Sequence, residues 1–209
     1  ERTGHKAVII TAYKSNIFYC ENEPSKAYEV NVDGVLQLIK NLSKTTLKII
    51  FLSSEYVFDG IQGNYNDDHP RNPKTVYGKH KKIIEDRIKN LTDNFLVLRL
   101  SKNYGLKKGD NTILDEAANL LSQRKKVLAA GDQYFNPTFI DDLVQAIINI
   151  QEKDLTGYIN VCAPETWSRF EMHTQLAQSM NQDKESIKKI NLYDIPEMKG
   201  RPLNTSMVC

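Results

Sequence analysis

Lys48-Ile-Ile-Phe-Leu-Ser-Ser-Glu-Tyr-Val-Phe-Asp-Gly60, followed by Pro73-Lys-Thr-Val-Tyr-Gly-Lys-His-Lys81, is the stretch on which the fold turns. Ile49, Ile50, Phe51 and Leu52 are four apolar residues in a row, the pattern of a short strand covered on both faces. Ser53 and Ser54 follow at its C-terminal end, where open α/β sheets place their chemistry. After an irregular segment rich in Gly, Asn and Asp (59–72), Pro73 opens a helix predicted to run to about residue 91. Its apolar set is Val76, Ile83, Ile84, Ile88 and Leu91, and Tyr77 and Lys81, four apart, share one face. A strand-end hydroxyl, a tyrosine and a helical lysine are the parts needed to protonate a carbonyl oxygen during reduction.

The pattern extends both ways. Ala7-Val-Ile-Ile10 reads as a buried strand, with a loop through Tyr13, Ser15 and Asn16 after it. From Pro24 a helix is predicted, because Ala27, Val30, Val35, Leu38, Ile39 and Leu42 recur near the 3.6-residue period. Phe95-Leu-Val-Leu98 is another fully apolar strand, closing on Arg99 and Ser101. A helix (about 111–123), a strand (126–130), a turn (131–137), a helix (about 139–152), a strand (157–162) and a helix (167–180) complete the readable part. Strands alternating with helices of this length imply βαβ units and a parallel sheet. A dinucleotide-binding sheet of that kind opens with a glycine-rich turn holding the pyrophosphate, and no G-x-G-x-x-G occurs here. The expected fold is therefore α/β, a partial Rossmann-like doubly wound parallel sheet lacking its first half.

Composition narrows the classes. The 209 residues are 40% hydrophobic and 26% charged, with a net charge of +2, so no global field points to nucleic acid. No apolar run approaches the ~20 residues of a membrane span. Cys20, Cys162 and Cys209 are odd in number and far apart, which fits a reducing cytoplasm better than a disulfide framework. The four histidines are scattered and show no zinc pattern, Asp67-Asp68 reads as a solvated loop, and no metal is expected. His80 reads as exposed beside Lys81. The opening Glu-Arg-Thr-Gly-His-Lys has neither an initiator methionine nor a signal-peptide pattern, and the expectation is a chain that begins partway through a longer protein.

A free phenol, with a pKa of about 10, is a poor partner for an alkoxide at neutral pH. An ammonium one helical turn away favours the phenolate and lowers that value. Tyr-x-x-x-Lys is nonetheless a weak pattern, since Tyr104 and Lys108 repeat the spacing in a glycine-flanked segment unsuited to a helix. Spacing alone leaves an exposed helix face equally open for Tyr77 and Lys81.

The surrounding residues carry more. Phe51-Leu-Ser-Ser-Glu-Tyr-Val-Phe-Asp-Gly60, Tyr65, Asp68, Pro70, Asn72-Pro73 and Val76-Tyr-Gly-Lys-His-Lys81 resemble extended short-chain dehydrogenase/reductases, and within them the dTDP-4-dehydrorhamnose reductase family. Val30-Asn-Val32, Leu98-Arg99, Asp132-Gln133 with Asn136-Pro-Thr138, Ser168-Arg-Phe-Glu171 and Arg201-Pro-Leu-Asn204 continue the match in order. The resemblance implies that residues 1–130 form a partial NAD(P)-binding Rossmann domain, and 131–209 a mixed region, a smaller C-terminal substrate-binding portion plus returning sheet elements. It implies Ser54 as the carbonyl anchor, Tyr77 as the proton donor, and Lys81 as its tuner and ribose ligand. It also implies that Ala12, Tyr13 and Lys14 line the cofactor, NADP or NAD, and that Glu55, Lys102 and Arg201 face a nucleotide-sugar substrate. Arg169 is a second cation for a diphosphate. Four departures stand out: Ile10 replaces the usual Asn, Tyr13 a small Ala, Glu55 an Asp, and Lys102 a substrate-stacking Trp. They bear on the sugar more than on the chemistry.

Two functions of different class are implied. The first is NAD(P)H-dependent reduction of a nucleotide-linked 4-keto-6-deoxy sugar in the cytoplasm. The second is a non-catalytic regulatory subunit resembling the methionine adenosyltransferase beta subunit. A homodimer or a partner enzyme stays open, and neither nucleic acid nor membrane is expected as a partner.

Overall fold

The computed structural model describes residues 4–153 and 155–209. The chain starts with β1 (Ala7–Ile10) and α1 (Ile17–Asn22). A continuous helical stretch comes next: α2 (Pro24–Tyr28), a π-helical segment (Glu29–Gly34) and α3 (Val35–Leu42). Then come β2 (Lys48–Ser54), α4 (Val76–Ile88), β3 (Phe95–Leu100), β4 (Asn103–Tyr104) and α5 (Ile113–Ser122). The remainder is β5 (Val127–Ala130), β6 (Tyr134–Phe135), β7 (Thr138–Phe139), α6 (Ile140–Glu152), β8 (Gly157–Val161), β9 (Trp167–Ser168), α7 (Arg169–Ser179) and β10 (Ile187–Ile190).

A parallel sheet of order β1-β2-β3-β8 forms the centre. Successive residues of β2 point to opposite faces. Ile49 and Phe51 pack with Val35 and Ile39 of α3 and Ile84 and Ile88 of α4, whereas Ile50 packs with Leu96, Leu98 and Leu143 under α6. Helices thus cover both faces, as a fully apolar strand requires. Three two-stranded pairs lie outside this sheet: β5 with β10, β4 with β7, and β6 with β9. None of β4, β6, β7, β9 and β10 is apparent from the sequence pattern. Tyr104 lies in β4 and not on a helix, so its spacing from Lys108 is a coincidence.

The π-helical segment shifts the buried face of its helix. Val30 and Leu38, expected inside, are 47% and 40% exposed, while Ala27, Asn31, Val32, Val35 and Ile39 are buried. A π turn inserts one extra residue and so rotates the next helical turns about the axis. His80 is another correction: it is buried, edge-on to Tyr28 with ring centroids 5.5 Å apart, because α4 packs against α1 and the π-helical segment that follows Tyr28.

The cysteine reading is also corrected. Cys162, one residue past β8, is bonded to Cys209, 47 positions later, because the C-terminal segment runs back along that strand end. Tyr65 pairs with Met207, and the Met207 amide donates to Asn136 Oδ1. Cys20 is free, and it is buried.

Two of the sequence signatures meet here. Gly60, at φ +70°, presses on Pro202, where a Cβ would come within 2.1 Å, and the Asn204 amide donates to the Gly60 carbonyl. The Tyr-Val-Phe-Asp-Gly turn and the Arg-Pro-Leu-Asn segment are therefore two halves of one contact.

His173 on α7 is buried, and neither ring nitrogen has a hydrogen-bond partner among the described residues. Burial, with Arg169 adding repulsion, pulls its pKa to about 4. The neutral ring is the folded form, so stability is complete above the unfolded value near 6.5 and falls as pH drops from there towards 4. The loss is about 3 kcal/mol across that window. Urea midpoints against pH should show it, and His173→Leu should flatten the curve in that interval.

Candidate active site

The site collects at the C-terminal end of β2. Ser54 is its last residue, buried, and its Oγ accepts from the Tyr56 amide at 3.2 Å, capping the short turn Glu55–Val57. Thr75 Oγ1 accepts from the Gly78 amide and so starts α4 at Val76. Gly78 sits where a Cβ would lie 2.2 Å from the Tyr56 carbonyl, which lets the helix start close against the strand-end turn. Tyr77 is thereby set against Ser54 and Tyr56, its ring 6.0 Å from that of Tyr56. Burial raises the Tyr77 phenol and Glu55 adds to the rise, while the Ser54 hydroxyl acts to lower it. The phenol is thus shifted up, contrary to the expected lowering by Lys81.

Lys81 is four residues on and buried, but its ammonium is engaged elsewhere. Nζ donates to the Leu52 carbonyl at 2.7 Å and lies 3.4 Å from the centre of the Tyr13 ring. The Tyr77 ring centre is 5.7 Å from it. Burial pulls the lysine to about 7, with Glu85 acting in the opposite sense. Tyr13 stands edge-on to Tyr77 at 5.7 Å and 6.3 Å from Phe51, and its hydroxyl is buried without a partner among the described residues.

A second cluster faces the same strand end. Glu55 is 3% exposed and its pKa rises to about 7 through burial, with Lys102 acting against the rise. Lys102 is lowered by burial, held up by Glu55 and repelled by Arg169 and Arg201, and its Nζ lies 5.7 Å from the Tyr56 ring centre. Arg169 Nε donates to Gln133 Oε1, and Arg201 Nε is buried with no partner among the described residues. Lys102, Arg169 and Arg201 thus gather around Tyr56, with Glu55 beside Lys102, an arrangement suited to an anionic ligand.

Compared with known proteins, the chain matches the RmlD substrate binding domain over residues 1–209. The chain belongs to that family. It is 28% identical over 212 residues to dTDP-4-dehydrorhamnose reductase of Aggregatibacter actinomycetemcomitans, covering 96% of this chain and 71% of that one. It is 30% identical over 144 residues to spore coat polysaccharide biosynthesis protein SpsK of Bacillus subtilis, covering 68% of this chain. The bovine methionine adenosyltransferase 2 subunit beta matches at 27% over 199 residues, 90% of this chain. The chain spans 50% of SpsK and 58% of the bovine subunit, about half their lengths. Among solved structures, dTDP-4-dehydrorhamnose reductase of Bacillus anthracis in complex with NADP superposes with a TM-score of 0.88 at 23% identity, covering 97% of this chain and 71% of that one, which shows the fold.

Within this RmlD-family site, Ala12 is exposed, and Lys14 is exposed with its backbone clamped: its amide donates to Asn31 Oδ1 at 2.7 Å and its carbonyl accepts from Asn31 Nδ2. Sequence reasoning gives Asn31 no role of its own. The available signal is a polar residue four from both Ala27 and Val35, inside a helix face otherwise apolar. Tyr56 is the other residue not foreseen, packed between Tyr77 and the cationic cluster.

Behind the site runs a buried ionic network. Glu85 is fully buried and accepts from Arg99 Nη2 at 2.9 Å, from Arg71 Nη1 at 2.9 Å and from Ser53 Oγ. Tyr158 on β8 donates to the Glu85 carbonyl. The network ties β2, β3, β8 and α4 together one residue from Ser54 and one helical turn from Lys81. The residues at Ser54 and Tyr77 suit a carbonyl oxygen. Those at Lys81 do not, as they stand, suit a cofactor ribose, because the Tyr13 ring covers the ammonium.

Proposed function

We propose that the protein containing this chain reduces a nucleotide-linked 4-keto-6-deoxy sugar with NADPH or NADH. The observation that carries the reading is the Ser54 hydroxyl set beside the buried Tyr77 side chain at the C-terminal end of β2. Ser54 holds the ketone oxygen, and Tyr77 gives its phenolic proton to that oxygen as negative charge develops there. The hydride required is the contribution of a reduced nicotinamide. Lys102, Arg169 and Arg201 bind the diphosphate of the sugar nucleotide, with Glu55 offsetting part of the repulsion that Lys102 feels from the two arginines. In this proposal residues 1–130 serve the cofactor side and 131–209 the sugar side, with β8 returning to the central sheet.

A cytoplasmic setting belongs to the same proposal. Among the described residues no helix is long and apolar enough to cross a membrane.

The test is oxidation of NADPH or NADH on adding a dTDP-4-keto-6-deoxy sugar. Oxidation that depends on the sugar is expected. The covering of Lys81 by Tyr13 favours a second reading, a binding subunit without turnover. That reading predicts no oxidation and co-purification with a partner synthetase.

A further inference from the structure

Tyr13 occupies a position that the reduction chemistry does not use. Its ring is wedged between Lys81, Tyr77 and Phe51, with the Lys81 ammonium 3.4 Å from its centre. Two of the three protons of that ammonium have no oxygen acceptor among the described residues, since Nζ donates once, to Leu52. The Tyr13 hydroxyl is itself buried and unpartnered. An aromatic face satisfies a cation in part, and a buried hydroxyl without a partner works against the position that holds it. The ring is therefore kept in place by the cation and opposed by its own hydroxyl. The backbone around it is not free to carry the ring away, because Asn31 clamps both the amide and the carbonyl of Lys14. Movement of the ring is therefore left to rotation of the side chain itself, and Thr11, Ala12 and Ser15 beside it in sequence are exposed.

We propose that Tyr13 is a gate on Lys81: its ring fills the space through which a ribose hydroxyl must reach the ammonium, and a nicotinamide nucleotide binds only as the ring swings out. With the ring gone, the ammonium faces both the ribose and the Tyr77 phenol, so one rotation completes the cofactor contact and places the cation beside the proton donor. The gate rests on the cofactor part of the function proposed above, but it is a statement about binding and not about turnover.

The test compares the protein with Tyr13→Ala and Tyr13→Phe. Dissociation constants for NADPH and NADH are measured by titration, and labelling of Lys81 by a small acylating reagent is tracked by peptide mass spectrometry. Y13A opens the gate, so the nucleotide binds about tenfold tighter, in line with removal of a cation–π contact, and Lys81 labels faster. Y13F removes only the opposing hydroxyl, so the ring stays over the ammonium: binding no tighter than in the unaltered protein and slow labelling are expected. Equal labelling of Lys81 in all three forms, or weaker nucleotide binding by Y13A than by Y13F, overturns the gate. Absence of keto-sugar reduction with these binding and labelling differences intact refutes the reductase reading and leaves the gate standing.

Discussion

Tyr77→Phe lowers the rate of keto-sugar reduction by about 10²- to 10⁴-fold, the usual contribution of a positioned general acid. The substitution removes one oxygen and keeps the ring, so the edge-on contacts with Tyr13 and Tyr56 survive and the fold is unaffected. The loss falls on kcat, because the phenolic proton matters only as charge develops on the substrate oxygen, while KM for the sugar nucleotide stays near its original value. Steady-state kinetics of the two proteins give the split directly. A fall in kcat of less than about threefold would mean that the proton comes from elsewhere, since general-acid contributions are far larger than that.

Glu85→Ala destabilises the protein by about 3–5 kcal/mol, the cost of leaving a buried charge without its partner. Arg99 is 2% exposed and directs both Nε and Nη2 at Glu85, and Arg71 directs a third donor there. No other carboxylate lies in the hydrogen-bond shell of Arg99 among the described residues; its other hydrogen bond goes to the Asp67 carbonyl. The denaturant midpoint measures the loss, and a double substitution of Glu85 and Arg99 to apolar residues should recover a good part of it. The network also braces Ser53, so the Glu85→Ala protein that still folds should show disturbed chemistry at Ser54 as well.

Much of this is legible in the chain itself. Ile49–Leu52 and Phe95–Leu98 announce buried parallel strands because four apolar residues in succession suit nothing half-exposed, and they pair in register at the centre of the sheet. Ser54, Tyr77 and Lys81 are legible through the company they keep, and the structure does bring all three to one strand end. The polar interior is not. His80, Glu85 and Arg99 look like surface residues by type, yet Glu85 of α4 and Arg99 of β3 are buried as partners and His80 is buried against Tyr28. The two-residue strands carry no periodicity, being fixed by tertiary contacts such as Tyr134 against Ser168. Tyr13 departs visibly from the family pattern, yet a ring lying over a lysine 68 positions away is a fact of packing that no local pattern contains. Cys162 and Cys209 likewise meet only because the last segment doubles back on β8.

Reduction of a sugar ketone at the Ser54–Tyr77 site is the function proposed above. Its most direct test is single-turnover reduction of a dTDP-4-keto-6-deoxy sugar with deuterium-labelled reduced nicotinamide, read by mass spectrometry and NMR of the sugar. Deuterium at the former carbonyl carbon, lost on Tyr77→Phe, is the predicted result. An unreduced ketone, with the nucleotide and sugar both shown to be bound, would contradict it.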